Sequence, residues 1–167
     1  MQREIPHITK IHEALWSIAD WRVEMIENDS GMFNVPTNFH EAKVYSSSRN
    51  KFYLVQYDSD KKEIMSNDNL SYRKWMIWYP SICLLMLVWE LPYEKNYANA
   101  LRGIKWKDIN TEFKNDFDKT LVYAENIMEE RWVNMDQFGN YKKEIMDKLK
   151  ELSLNYLWKK RIPPKAY

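Results

Sequence analysis

The chain has very little glycine and almost no cysteine: Gly31, Gly103, Gly139 and the lone Cys83 are the full complement in 167 residues. Three scattered glycines cannot build the glycine-rich turn that cradles a phosphate, nor the G-x-S-x-G elbow that presents a nucleophilic serine. One cysteine excludes a disulfide scaffold and a cysteine-based zinc ribbon, and between Ile82 and Leu84 it reads as a small core hydrophobe. Charge of one sign is also missing, with 25 Lys and Arg against 24 Asp and Glu. Global charge therefore selects no partner.

Long apolar runs are absent too. The longest, Trp75 to Trp89, is interrupted by Pro80 and Ser81, and it falls short of the roughly 20 residues that span a bilayer. No membrane span is expected. The first ten residues carry Arg3, Glu4, His7 and Lys10 and lack the apolar core of a secretory signal, so the expected location is cytoplasmic.

What is present is the composition of one globular domain, residues 1–167, with 45% hydrophobic and 29% charged residues. Ile8, Ile11, Leu15, Ile18, Ala19, Val23 and Ile26 recur at three and four residues. That spacing predicts a helix from Ile8 to Glu27 with an acidic outer face, closed at Gly31 before a loop containing Pro36. The runs 42–45, 51–57 and 63–65, separated by turn-forming clusters at 46–50 and 58–62, predict a three-stranded antiparallel meander over about 41–65. Ser66, Asn67, Asp68 and Asn69 offer caps for a helix running toward Tyr79, and Pro80 then kinks or restarts it. The all-round apolar segment 82–91 reads as the central helix.

A short helix over 94–102 is expected to close at Gly103. Ile109, Phe113, Phe117, Leu121, Ala124, Met128 and Trp132 predict one long amphipathic helix capped by Asp108 or Asn110. A turn over 134–140 and a last helix bearing Tyr141, Ile145, Leu149, Leu152 and Tyr156 follow, with Pro163 and Pro164 ending it. The last two helices are expected to pair as a hairpin. The fold class is therefore α+β, mostly helical, with about five helices on a small sheet.

No motif assigns catalytic, cofactor or metal-binding residues. His12-Glu13 lacks the second histidine of a zinc-binding HExxH pair, Trp16 standing in its place. His7 and His12 are about 140° apart on a helix, and His40 precedes the first strand of the meander, so each reads as a surface or boundary residue. The carboxylate pairs Asp116 with Asp118 and Glu125 with Glu129 could hold Mg²⁺ or act as acid and base, but Asp116, Lys119, Glu125 and Glu129 fall opposite the apolar stripe of their helix and read as a solvated face.

Two features remain. Residues 141–167 hold eight Lys or Arg against three Asp or Glu, whereas residues 1–40 hold three against six. Within the basic segment Trp158, Lys159, Lys160, Arg161 and Lys165 combine cations and rings in a way that suits phosphate contact and base stacking, and Lys43, Arg49 and Lys51 add a second basic stretch. The competing reading is a solvated helix end whose cations complement the dipole.

The second feature is aromatic density, 25 rings including eight tryptophans. Trp16 and Trp21 lie off the stripe of the first helix, so another part of the fold or a partner must cover them. With Trp106, Arg73 and Trp78 they form the candidate protein-binding set, while Trp75 and Trp89 read as core. The leading expectation is a non-enzymatic interaction protein, adaptor or inhibitor, that binds a protein partner or itself. Nucleic-acid binding by the basic C-terminal segment is the alternative, and an enzyme with a site assembled from distant residues is the third reading.

Overall fold

A computed structural model describes residues 3–26, 38–157 and 162–165. The described residues form seven helices and five strands: α1 (Thr9–Ala19), β1 (Val23–Ile26), β2 (Phe39–Tyr45), β3 (Phe52–Asp58), β4 (Glu63–Ser66), α2 (Asn69–Lys74), α3 (Tyr79–Leu87), α4 (Lys95–Ala100), α5 (Trp106–Glu112), α6 (Phe117–Glu130), α7 (Met135–Leu152) and β5 (Asn155–Tyr156). The α+β class holds, with more helices and strands than the sequence pattern predicts.

The meander is real and larger than expected. β1 to β4 pair antiparallel in chain order, and β5 adds in parallel to β4 through Glu63↔Asn155 and Ile64↔Tyr156. The register sets Ala42 opposite Val55 and Val44 opposite Tyr53. Period-two alternation then buries Ala42, Val44, Val55 and Tyr57, and α3 lies against β2, β3 and β4. Both α1 and α3 are buried along almost their whole length. The centre of the molecule is therefore this helix pair, flanked by α4 and α6.

Several boundaries differ from the pattern. α1 stops at Ala19 rather than at Glu27, because Trp21 takes a left-handed backbone (φ 57°) and the chain turns into β1. Val23 and Ile26 fit a helical stripe, yet as β-branched residues they also suit a strand, and the backbone of β2 supplies partners for them. The acidic outer face does not form, since Lys10, His12 and Glu13 are all buried. The expected close of that helix at Gly31 and the Pro36 loop lie outside the described residues.

Asp68 is the cap of α2, its Oδ1 accepting from the amides of Leu70 and Ser71. That helix ends at Trp75 (φ 61°), and α3 begins afresh with Pro80 in its first turn, where the missing N–H has no helical partner to lose. The long helix predicted to Trp132 is two helices. Lys114 and Asn115 are left-handed (φ 52° and 61°), and Asp116 then caps α6 through the amide of Lys119.

The turn predicted over 134–140 is instead the start of α7. Asn134 caps it, accepting from the amides of Asp136 and Gln137 at 3.1 Å, and Gly139 lies inside the helix. α7 ends at Leu152, where Ser153 is left-handed (φ 47°), and Tyr156 belongs to β5.

The two glycines in the described residues predict opposite effects. Gly103 has φ +83° after α4 and Gly139 is helical, and neither site would crowd an added Cβ. Gly103→Ala is expected to lower stability by about 1 kcal/mol and Gly139→Ala to raise it by about 0.5–1 kcal/mol, as read from urea midpoints.

Candidate interaction surface

Three helices run in one sense but do not all end together. Near the start of α1 the Lys10 ammonium lies 4.3 Å from the ring of Trp78, which precedes α3, and one turn on the Cys83 thiol donates to the Ala14 carbonyl at 3.5 Å, so α1 and α3 run in the same sense. His7 meets Asp118 at 3.2 Å and His12 meets Glu125 at 3.1 Å, so α6 runs in that sense as well. The ends of α1 and α6 meet the end of α4 through Arg102 and Arg131, whereas α3 ends beside β3 and β4, where Tyr57 and Lys62 bond Glu90.

All three close in the same way. Trp21, Trp89 and Trp132 each sit just beyond the helix cap with φ of 57°, 65° and 68°. Each donates its amide three residues back, to Ile18, Met86 and Glu129, while the next residue donates five back: Arg22 to Ser17, Glu90 to Leu85 and Val133 to Met128. This paired pattern is the Schellman motif, whose left-handed position is usually glycine. Here tryptophan fills it three times, and the side chains are 85%, 80% and 95% exposed.

Arginines tie the ends of α1 and α6 to that of α4. Arg102 donates Nε–H to the Ala19 carbonyl at 3.2 Å, and Arg131 donates to the carbonyls of Ala100 and Arg102 at 2.8 Å each. Cations at helix C-termini also answer the partial negative charge of the dipole there. Glu90, beside Trp89, is fixed by hydrogen bonds from Tyr57 and Lys62, each at 2.7 Å. Next to Trp132 a groove of about 770 Å³ opens, lined by Tyr97, Asn99, Ala100 and Gln137 among others.

The register of α1 against α6 is held by a buried polar latch. Neutral His12 donates Nε2–H to Glu125, and Lys142 on α7 donates to the same oxygen. Burial, opposed by Glu125, leaves the His12 imidazole below its ordinary value. Burial alone would raise the Glu125 carboxyl, but hydrogen bonds from His12 and Lys142 hold it down to about 2. Glu125 is thus drawn off the solvated face expected for it, and His12 is a core residue rather than a surface or boundary one; Glu129 remains exposed.

The candidate tryptophans separate. Trp16 and Trp106 are 1% exposed and stack at 5.8 Å, with the Arg22 guanidinium over Trp16, so the fold itself covers them and they offer no free surface. Trp21 is exposed just beyond α1. Trp78 is half-buried at the start of α3 and Arg73 is exposed in the last turn of α2. Trp89, expected in the core, is outside it because α3 has already closed, and Trp132 projects from the end of its helix. Trp158, Lys159, Lys160 and Arg161 lie outside the described residues; Lys165 is exposed. Among the described residues no three His, Cys, Asp or Glu side chains group as a metal site, and no helix is long and apolar enough to cross a membrane.

Fold and surface together define an α+β protein in which three helices close on exposed tryptophans. Residues 3–155 match the family described as uncharacterised conserved protein UCP014422, and the chain belongs to that family. No curated protein and no solved structure matches it.

The latch predicts a pH dependence. Because His12 is harder to protonate in the folded chain than its ordinary 6.5, the unfolded chain binds the extra proton first as pH falls below that value. Stability present above pH about 6.5 is then lost on acidification, by at most about 1.4 kcal/mol per pH unit. Urea melts from pH 7.5 to 5.5 check this, with the slope expected to flatten in His12→Gln.

Proposed function

We propose that this protein binds a protein partner through the exposed tryptophans that close α1, α3 and α6: Trp21, Trp89 and Trp132. The observation behind this reading is that three tryptophans, each at least 80% exposed, occupy the left-handed closing position of three helices. Both properties cost free energy in the isolated chain. A left-handed non-glycine residue costs about 1–2 kcal/mol, and an exposed indole gains nothing from burial. A partner that covers the rings supplies the gain.

Size supports the assignment. Three tryptophans bury about 150–250 Å² each, which approaches the roughly 800 Å² that one side of a stable interface needs. The groove beside Trp132 and the unspent donors of Arg102 and Arg131 extend that surface. Trp and Arg are the residues most often found at binding hot spots. Self-association and nucleic-acid binding through Trp158, Lys159, Lys160, Arg161 and Lys165 are the competing readings.

Glycine substitution separates function from folding. Trp132→Gly is expected to raise stability by about 1 kcal/mol, since glycine adopts the same backbone without strain. Trp21→Gly, Trp89→Gly and Trp132→Gly combined are expected to abolish co-purification of the partner while the fold is retained by circular dichroism. An unchanged set of co-purifying proteins overturns the proposal. Light scattering that gives a dimer abolished by the triple variant assigns the face to self-association. A salt-sensitive 260 nm signal that is lost with Lys159, Lys160 and Arg161 assigns nucleic acid instead.

A further inference from the structure

The groove beside Trp132, about 770 Å³ in volume, has two helices for its sides. α4 supplies Asn96 and Asn99, and the start of α7 supplies Asn134 and Gln137. Tyr97 of α4 packs its ring 4.9 Å from those of Phe138 and Tyr141 on α7, so the two sides are fixed against each other.

Charge on the lining balances, with Glu94 as the one carboxylate and Arg131 as the one cation. Arg131 is already turned to the carbonyls of Ala100 and Arg102. What the groove presents to solvent is amide, since all four Asn and Gln side chains are exposed. The Asn134 oxygen accepts from the amides of Asp136 and Gln137, and the Asn99 oxygen accepts from Arg102 at 3.1 Å. Among the described residues the side chains of Asn96 and Gln137, and the NH₂ groups of Asn99 and Asn134, have no partner.

Unspent amides offer donors and acceptors together and carry no charge. A phosphate calls for an excess of cations and a metal ion for carboxylates, and this lining has neither. The peptide group, with one N–H and one C=O per residue, is its complement. Spacing agrees. Asn96 and Asn99, like Asn134 and Gln137, are three residues apart, which sets their Cβ atoms about 5–6 Å apart on a helix. An extended chain rises about 3.3 Å per residue, so each pair reaches peptide groups one or two residues apart. Trp132, 95% exposed on the same lining, adds a flat apolar surface for a side chain of such a segment. Continuity with Trp132 selects a peptide over a free polar ligand, because that ring is one of the three assigned to a protein partner.

We infer that this groove holds an extended segment of the partner protein, its backbone bonded by Asn96 and Asn99 from one side and by Asn134 and Gln137 from the other. The inference rests on the proposed function, since Trp132 belongs to both.

The test sets the full chain against a phage-displayed library of random linear peptides. Selected peptides are expected to bind with a Kd of about 100 μM or below, read by fluorescence anisotropy. N-methylation of single peptide bonds along a selected sequence is expected to weaken binding about tenfold at more than one position, because each methyl removes a backbone donor. Asn96→Ala and Gln137→Ala, one from each side and neither bonded within the described residues, are each expected to weaken it about threefold or more. Asn126→Ala, exposed on α6 and off this groove, is expected to leave it unchanged. No selected peptide, N-methylation without effect at every position, or unchanged affinity in both groove variants overturns the inference. The two readings fail separately. A partner that still co-purifies with the Asn96→Ala and Gln137→Ala double variant, but not with the triple tryptophan variant, removes the groove and leaves the tryptophans; one that still co-purifies with the triple variant removes both.

Discussion

The rest of the structure depends on one constraint: α1 is buried on nearly every side and yet carries Lys10, His12 and Glu13. A buried charge needs a partner in a fixed place. Lys10 has Glu13 with Trp78 and Phe117, and His12 has Glu125, itself held by Lys142. Leaving one member of such a pair alone costs about 3–5 kcal/mol. Because each residue turns a helix by 100°, a shift of α1 by one residue would take His12 off Glu125 and Lys10 off the rings of Trp78 and Phe117, although the Lys10–Glu13 pair would move as one. An apolar α1 would tolerate sliding; this one does not.

That fixed register places the neighbours of α1. Toward its start it brings the Lys10–Glu13 pair beside Tyr79 and Phe117. Toward its end Arg102 donates to the Ala19 carbonyl, and Arg131, at the close of α6, donates to the carbonyls of Ala100 and Arg102 at the close of α4. Cations set there answer the partial negative charge of the helix ends they reach. The two arginines fix the ends of α1 and α6 from which Trp21 and Trp132 project, while Glu90, held by Tyr57 and Lys62, follows Trp89 at the end of α3.

Local signals in the sequence were legible wherever one residue's chemistry decides the outcome. Asp68 reads as a cap and is one; Gly103 reads as a helix stop and is left-handed; the alternation over 42–45 reads as a strand and pairs as β2. Illegible were the places where two local patterns coincide or where a distant partner decides. Val23 and Ile26 satisfy a helical stripe and a strand equally, and only pairing with β2 chooses. β5 has two residues and exists because β4 lies beside it, although the two are far apart in sequence. Glu125 points outward on a helical wheel drawn for α6 alone, and it is turned to account by His12 and Lys142 from other helices. One signal was available for the tryptophan face. A chain with so few glycines must close its helices with other residues in the left-handed conformation, and tryptophan follows the apolar stretch of three of them.

The choice of tryptophan at those positions is itself informative. Asparagine adopts the left-handed backbone more easily, and the chain uses it at Asn115, so a cheaper closing residue was within its repertoire. Among the described residues nothing compensates for this choice, since the three indoles remain at least 80% exposed. Flexible loops would present such rings without backbone strain, but at a greater entropic cost on binding. A Schellman turn on a packed helix fixes the backbone in advance, and tryptophan itself has only two side-chain torsions to immobilise. Strain in the free chain is then the counterpart of rigidity in the complex, and the closing position of a locked helix is where that exchange is most favourable.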